Sequence, residues 1–362
     1  MINSKTVILV SGGARGITAQ CVIELARRYQ CRFILVGRST VAEPEPVWAI
    51  DCFDEAGLKK RAFEAMQARD ERPKPADIQQ VVKAILARRE ILETLQIIRQ
   101  AGGQAEYLSV DIGNPAVLQQ LLAPVVERLG PVTGLIHGAG VLADKPIEQK
   151  SIEDFERVYG VKVTGLQSLL ACVPLNQLAY VILFSSAAGF FGNVGQTDYA
   201  LANEILNKIA HQIKRKQPHC RVLSLNWGPW DGGMVTPALK RLFAQNNVEV
   251  IPIEAGTQFL VDNLHMGNPE TVQLVVGSPF IASGQKLTDT TLRTHCVRRT
   301  LTEAANPFLQ DHRIGHHAVL PMVCGVAWVV NVAEQLYPGY QIFRLENFKV
   351  LKGLVFDDTL AD

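Results

Sequence analysis

The chain has 362 residues, 48% of them apolar, which is enough for one large domain with a sizeable core and a smaller appendage. Lys plus Arg number 36 against 35 Asp plus Glu, a net charge of +1, so electrostatics give no case for a nucleic-acid or anionic-membrane partner. The first apolar run, at 7–10, is too short for a signal segment, and none reaches spanning length. The 7 cysteines are odd in number and form no CxxC pair, which predicts a protein of the reducing cytoplasm without a disulfide framework.

In chain order, a buried strand is expected at 7–10, followed by the glycine turn Ser11-Gly-Gly-Ala-Arg-Gly16 and a helix over 17–29 with apolar residues at Ile17, Cys21, Ile23 and Leu25. Further short apolar runs predict strands at 33–36, 107–110, 134–137, 180–184, 222–226 and 272–276, with helical patterns between most of them. Continuous apolar strands alternating with helices imply an α/β fold, a doubly wound parallel sheet covered on both faces.

The stretch between the second and third strands is too long for one crossover. We read 40–76 as a helical insertion, with a charged helical pattern at 54–69 and a break at Pro73-Lys-Pro75. Asp77 is the expected N-cap of a long helix, 78–100, with an apolar stripe at Ile78, Val82, Ile85, Leu92, Leu95 and Ile98. The large domain is expected to span 1–280, followed by a linker at 281–305 and a new unit at 306–362.

A strand that feeds a glycine turn opening a helix is a dinucleotide site. Glycine lets pyrophosphate approach the backbone, and the helix N-terminus favours negative charge. After the second strand come Arg38 and Ser39, where an NAD site would carry an acidic residue. Arginine there, with Arg15 in the turn, suits a 2′-phosphate and predicts NADPH. Asp111 at the end of its strand is read either as a contact to the adenine edge or as an ordinary strand-end cap. The expected cofactor-binding set is Gly12, Gly13, Ala14, Arg15, Gly16, Ile17, Arg38, Ser39, Asp111, Ile112, Gly138, Ala139, Gly140 and Pro229.

Ser186, Tyr199 and Lys162 supply what carbonyl reduction requires. Tyr199 donates a proton to the developing alkoxide, and a nearby Lys162 cation eases that donation. Ser186 hydrogen-bonds the carbonyl oxygen, and Asn203 orients Lys162 or a relay water.

These segments together resemble the short-chain dehydrogenase/reductase superfamily and, more narrowly, the ketoreductase domain of polyketide and polyunsaturated-fatty-acid synthases. The likeness lies in the glycine turn, Leu35-Val-Gly-Arg-Ser39, Ile136-His-Gly-Ala-Gly-Val141, Phe184-Ser-Ser-Ala-Ala-Gly189, Gly195-Gln-Thr-Asp-Tyr-Ala-Leu-Ala-Asn203 and Asn226-Trp-Gly-Pro229. Most short-chain reductases have Tyr-x-x-x-Lys with an earlier Asn. Here Asn203 follows Tyr199 and Lys162 takes the earlier position, an exchange typical of the synthase ketoreductases.

The resemblance implies reduction of a 3-oxoacyl chain on acyl carrier protein, with other synthase domains as neighbours. In the family the Leu142-Ala-Asp144 segment bears on the face attacked. The middle Asp is replaced by Ala143, Asp144 is kept, and Gln196 stands where Trp marks the opposite outcome, which together imply a D-configured (R) product. The alternatives are a free-standing NADPH reductase of small ketones and a non-catalytic, reductase-like structural module.

His312 and Pro321 resemble the start of a synthase dehydratase, a hot-dog fold with His-x-x-x-Gly-x-x-x-x-Pro, although His316 replaces the glycine and Gly315 comes one position early. A truncated α+β hot-dog fragment without dehydratase activity is expected. His312, His316 and His317 make no expected metal site, because Gly315 interrupts the spacing and no Cys or carboxylate array completes it.

Overall fold

The computed structural model describes residues 2–41, 44–68, 73–245, 248–265, 269–277, 297, 299, 301–303, 305–337 and 341–356. The chain divides into two compact units, 1–278 and 279–362. Most of the expected linker lies outside the described residues.

The first unit opens with strand β1 (Val7–Ser11), helix α1 (Gly16–Tyr29) and strand β2 (Arg32–Gly37). Helices α2 (Glu55–Gln67) and α3 (Pro75–Gln100) precede β3 (Gln104–Ser109), α4 (Pro115–Leu129) and β4 (Val132–His137). Helices α5 (Ile152–Tyr159) and α6 (Gly165–Cys172) are joined by a π-helical turn, Gly160–Thr164. Then follow β5 (Tyr180–Ser186), α7 (Ala187–Phe191), α8 (Thr197–Lys216), β6 (Arg221–Trp227), α9 (Pro237–Gln245), α10 (Ile253–His265) and β7 (Gln273–Val276). All seven expected strands form, in one 7-stranded sheet ordered β3-β2-β1-β4-β5-β6-β7, and every pair is parallel.

Alternate residues of each central strand enter opposite cores, because successive side chains leave opposite faces of a strand. Val7, Leu9, Leu135, Val181, Leu183 and Val222 pack with Leu118 and Leu122 of α4, Leu166 of α6 and Leu206 of α8. Ile8, Val10, Phe33, Ile136, Ile182 and Leu223 pack with Val22 and Leu25 of α1, Ile91 and Ile98 of α3, and Leu260 of α10. Each such fully buried Leu or Ile contributes about 1.5–3 kcal/mol. The sheet reverses its winding between β1 and β4, and in open α/β sheets that point places a crevice beyond the C-terminal strand ends. Ser11 and His137 pair there across the two strands.

The insertion packs against the first half of α3 in a separate core, formed by Ala49, Cys52, Leu58 and Ala62 with Val82 and Ile85 of α3. Asp54 caps α2 by accepting from Gly57 N at 2.6 Å. The reading of α3 needs two corrections. The helix starts at Pro75, so Asp77 is its third residue and accepts from Lys74 N at 3.0 Å instead of capping it. Leu92 is 39% exposed while Ile91 is fully buried. The apolar stripe turns because the early part of the helix faces α2 and the later part faces the sheet.

The second unit holds a short antiparallel sheet, β8 (Arg313–Ile314), β9 (His317–Val319) and β10 (Val355–Phe356), with helix α11 (Met322–Leu336). Among the described residues no helix is long and apolar enough to cross a membrane, and no group of three or more His, Cys, Asp or Glu is placed to hold a metal.

Candidate active site

At the end of β1 the chain turns through Gly12 at φ +69° and Gly16 at φ +61°, a conformation that L-residues with side chains rarely adopt. A Cβ on Gly12 would lie 2.9 Å from Ala139 N, and one on Gly138 would lie 2.3 Å from Thr18 Oγ1. The glycine turn and the Gly138–Gly140 segment therefore close on each other backbone to backbone. Gly12 N donates to Val36 O and Gly138 N to Ser11 O, each at 3.0 Å. Ala14 is buried in the sheet core, and Ile17 lies under Gly233.

Arg15 is the N-cap of α1 and offers no side-chain cap. Glu90, reaching over from α3, takes that place. Its Oε1 accepts from Gly16 N and its Oε2 from Arg15 Nε, both at 2.7 Å. The sequence reading missed this residue, since nothing local separates it from the other charges of α3.

Arg38 is exposed beyond β2, and the Ser39 carbonyl accepts from Tyr107 Oη at 2.8 Å. Asp111 Oδ1 accepts from Gly113 N at 2.8 Å, a local turn closure. Ile112 is buried against Gly165. The Pro229 carbonyl accepts from Ile251 N at 2.7 Å beyond β6.

Ser186 ends β5 and caps α7, its Oγ accepting from Ala188 N at 3.2 Å. Tyr199 sits in the first turn of α8, and Asn203 one turn later donates from Nδ2 to the Tyr199 carbonyl at 2.8 Å. Asn203 is fully buried and its Oδ1 has no hydrogen-bond partner. Burial raises the pKa of Tyr199, the side chains of Ser186 and Asn203 act against that rise by hydrogen bonding, and the charge of Asp144 adds to it.

A buried polar chain pins α8 to the sheet. Ser224 Oγ donates to Asn207 Oδ1 at 2.6 Å and Asn207 Nδ2 to Asn226 Oδ1 at 2.8 Å, and the single Ser185 hydroxyl proton is shared between Asn203 O at 3.0 Å and Asn226 Oδ1 at 3.1 Å. This fixes the helix bearing Tyr199 relative to the strand bearing Ser186.

Lys162 sits on the π-helical turn, 3% exposed. Such turns insert an extra residue and re-aim side chains. Its Nζ donates to Phe184 O at 2.6 Å. Burial lowers its pKa from 10.5 to about 7.

Beneath it lies His137, also missed from sequence. Its Nε2 lies 2.9 Å from the Lys162 carbonyl and its Nδ1 lies 2.7 Å from Ser11 Oγ. Because a carbonyl can only accept, Nε2 carries the proton and Nδ1 accepts from Ser11. Burial, then the charge of Lys162, lowers the His137 pKa to about 3, with its backbone hydrogen bond opposing them. Gly140 is needed here as well, since a Cβ would lie 2.9 Å from Lys162 Cε. At the outer edge, Gln196 Nε2 donates to Asp144 Oδ2 at 2.9 Å, so the two residues read as stereocontrolling do meet.

The seven-stranded parallel sheet in this order has the Rossmann-like fold of the short-chain dehydrogenase/reductases. An NADPH-bound blue fluorescent protein from a metagenomic library shares the fold at TM-score 0.57, with 17% identity over 75% of this chain and 96% of that one. More narrowly, the chain belongs to the KR domain family, which matches residues 6–232. The polyketide synthase dehydratase domain family matches residues 283–361.

A polyunsaturated fatty acid synthase polypeptide of Thraustochytrium sp. is 37% identical over 98% of this chain, which spans only 13% of that protein. Polyketide synthase PksL of Bacillus subtilis is 31% identical over 61% of this chain and 5% of that protein. A ketoreductase domain from the bacillaene assembly line has TM-score 0.56 at 26% identity, covering 75% of this chain and 55% of that one. The chain is thus a synthase ketoreductase domain followed by the N-terminal part of a dehydratase domain.

Proposed function

We propose that the domain reduces a 3-oxoacyl thioester carried on acyl carrier protein to the D-3-hydroxyacyl thioester with NADPH. The observation that carries this reading is the convergence of the Ser186 and Asn203 side chains on Tyr199. The fit to a phosphorylated dinucleotide rests on the positive-φ turn that ends at Gly16, where a Cβ would meet nothing within 4 Å and the first amides of α1 begin, and on Arg15 and the exposed Arg38.

The nicotinamide supplies the hydride. Tyr199 Oη gives a proton to the carbonyl oxygen as negative charge grows there, and Ser186 Oγ holds that oxygen by hydrogen bond. Lys162, whose pKa burial lowers to about 7, would replenish the Tyr199 proton, and the buried Oδ1 of Asn203, which has no hydrogen-bond partner, is available to a relay water. Asp144, held by Gln196, orients the thioester so that the hydride meets the face giving the D-alcohol. The dehydratase match and the synthase relatives support a carrier-bound substrate.

The test follows loss of NADPH absorbance with acetoacetyl-coenzyme A, in wild type and Tyr199→Phe. The variant is expected to bind NADPH normally and to lose turnover by about 10²–10⁴-fold. Near-normal turnover in the variant refutes the assignment, and an L-alcohol from the wild type refutes the stereochemical part.

A further inference from the structure

We infer that Lys150 and Asp198 are a positioning pair that sets which face of the substrate carbonyl is presented to Tyr199, by locking the 141–146 loop to the first turn of α8. The inference rests on the reductase reading above. Neither residue touches the reacting atoms, and neither belongs to the Ser, Tyr, Lys and Asn set.

Lys150 Nζ donates to Asp198 Oδ1 at 2.8 Å, and the two side chains are 6% and 0% exposed. The same ammonium donates to Ala143 O at 2.8 Å. Asp198 Oδ1 also accepts from Tyr199 N at 2.8 Å. One buried junction therefore joins the carbonyl of the residue before Asp144 to the amide of Tyr199. Asp198 stands in the first turn of α8, where a carboxylate suits the helix dipole. Outward of this junction the same two segments meet again. Lys145 N donates to Gly195 O at 3.0 Å, and Gln196 Nε2 reaches Asp144.

Stability does not call for such a pair. Two charges taken out of water lose hydration that their mutual attraction need not recover, and apolar side chains of similar volume usually serve at least as well. Asp198 Oδ2 is buried with no hydrogen-bond partner, so the arrangement carries an unmet cost. What a charged junction supplies, and an apolar contact does not, is direction: the Ala143 carbonyl is held at one distance and angle from the backbone of Tyr199. Asp144 follows Ala143 in the chain and its charge is felt at the Tyr199 phenol. A shift of the loop therefore changes the substrate's approach without disturbing the glycine turn.

The experiment uses the full chain, NADPH and acetoacetyl-coenzyme A, comparing wild type, Lys150→Met/Asp198→Asn and Lys150→Gln. Melting temperature, NADPH affinity by fluorescence, kcat, and the enantiomer ratio of the 3-hydroxyacyl product by chiral chromatography are read. The double variant is expected to bind NADPH within about twofold of wild type, because the cofactor turn is untouched, while kcat falls about tenfold or more and the minor enantiomer rises by a similar factor. Lys150→Gln keeps a neutral donor towards Ala143 O but leaves the buried Asp198 carboxylate without its cation, so it is expected to melt below the double variant and to lose at least as much kcat and enantiomer selectivity. If the glutamine variant does not fold, the neutral double variant carries the comparison alone. A folded variant with wild-type kcat and wild-type enantiomer ratio overturns the inference. A wild type that binds NADPH yet reduces nothing overturns the functional reading first, and the inference with it.

Discussion

On the proposed cofactor side of the crevice the chain presents backbone: Gly12 and Gly16 turn through positive φ, and the Gly138–Gly140 segment lies against Gly12 at a distance no side chain permits. On the substrate side it presents buried side chains, with His137, Lys150, Lys162 and Asp198 all under a tenth exposed and bonded to residues from distant segments. The first side is a short local pattern, intolerant of any added atom. The second is a set of desolvated polar groups whose cost is met by the rest of the fold. Substitutions on the two sides should therefore have opposite signs. Adding an atom on the cofactor side destabilises and weakens binding, whereas removing charge on the substrate side stabilises and weakens catalysis.

The largest expected effect is at the turn. Gly12→Ala puts a Cβ 2.9 Å from Ala139 N at φ +69°. The strained backbone alone costs about 1 kcal/mol or more, and relieving the clash moves the Gly138–Gly140 segment. NADPH affinity by fluorescence titration should fall at least about tenfold, an effect of about 1.4 kcal/mol. Unchanged affinity would break the view that this side is built from backbone.

Next comes Lys162→Met, with the opposite sign. The Lys162 pKa is lowered from 10.5 to about 7 in the folded chain, so between those values the unfolded chain binds the extra proton and stability rises with pH. The lysine therefore costs most below about pH 7, and its cost fades as pH rises towards 10.5. The methionine variant should be more stable by about 2–4 kcal/mol at neutral pH, by less at alkaline pH, and nearly inactive. Chemical unfolding at several pH values checks this. A destabilised variant would mean that Lys162 is held in place by more than Phe184 O.

His137 gives a smaller, pH-limited effect. Its pKa is lowered from 6.5 to about 3. Its neutral form therefore suits the fold fully above about 6.5, and stability erodes as pH falls towards 3. The slope is about 1.4 kcal/mol per pH unit for one proton. His137→Gln keeps a donor for the Lys162 carbonyl and an acceptor for Ser11, and should flatten this acid limb in urea unfolding compared at pH values above and below 6.5.

The contrast also explains what the sequence disclosed. The inner strands were legible because both their faces are buried and they read as unbroken apolar runs, whereas the edge strand β3 runs Gln104–Ser109, not 107–110, because its first residues are polar and only half-buried or exposed. The turn was legible because its chemistry lies within Ser11–Gly16, and Ser186, Tyr199 and Asn203 because they lie in a short segment whose pattern resembles a family. Lys150 and His137 were not singled out, since a lysine beside Ser151 looks like any solvated charge until Asp198 is brought beneath it. Asp77 misled because it suits an N-cap by residue type, while Pro75 sets the start of α3 three residues earlier. Leu92 misled because a fixed stripe was laid along a helix whose two ends face different partners.

Glu90 is the exception that sharpens the contrast, a side chain placed on the backbone side. Its carboxylate holds Gly16 N and Arg15 Nε, and the pair is 40% exposed on each side. An ion pair so open to water is worth about 0–1 kcal/mol, so Glu90→Gln should leave stability within about that range. Its effect should instead fall on cofactor choice. Removing a negative charge beside the arginine that suits a 2′-phosphate lowers repulsion for NADPH and leaves NADH nearly unaffected. A rise of about two- to fivefold in the NADPH over NADH affinity ratio is expected at low salt, shrinking as added salt screens the exposed charges. Fluorescence titration with both cofactors at two ionic strengths reads it. A loss of NADPH affinity would instead make Glu90 the group that holds Arg15 in its phosphate-binding pose, and the cofactor side would then depend on a distant side chain as much as the substrate side does.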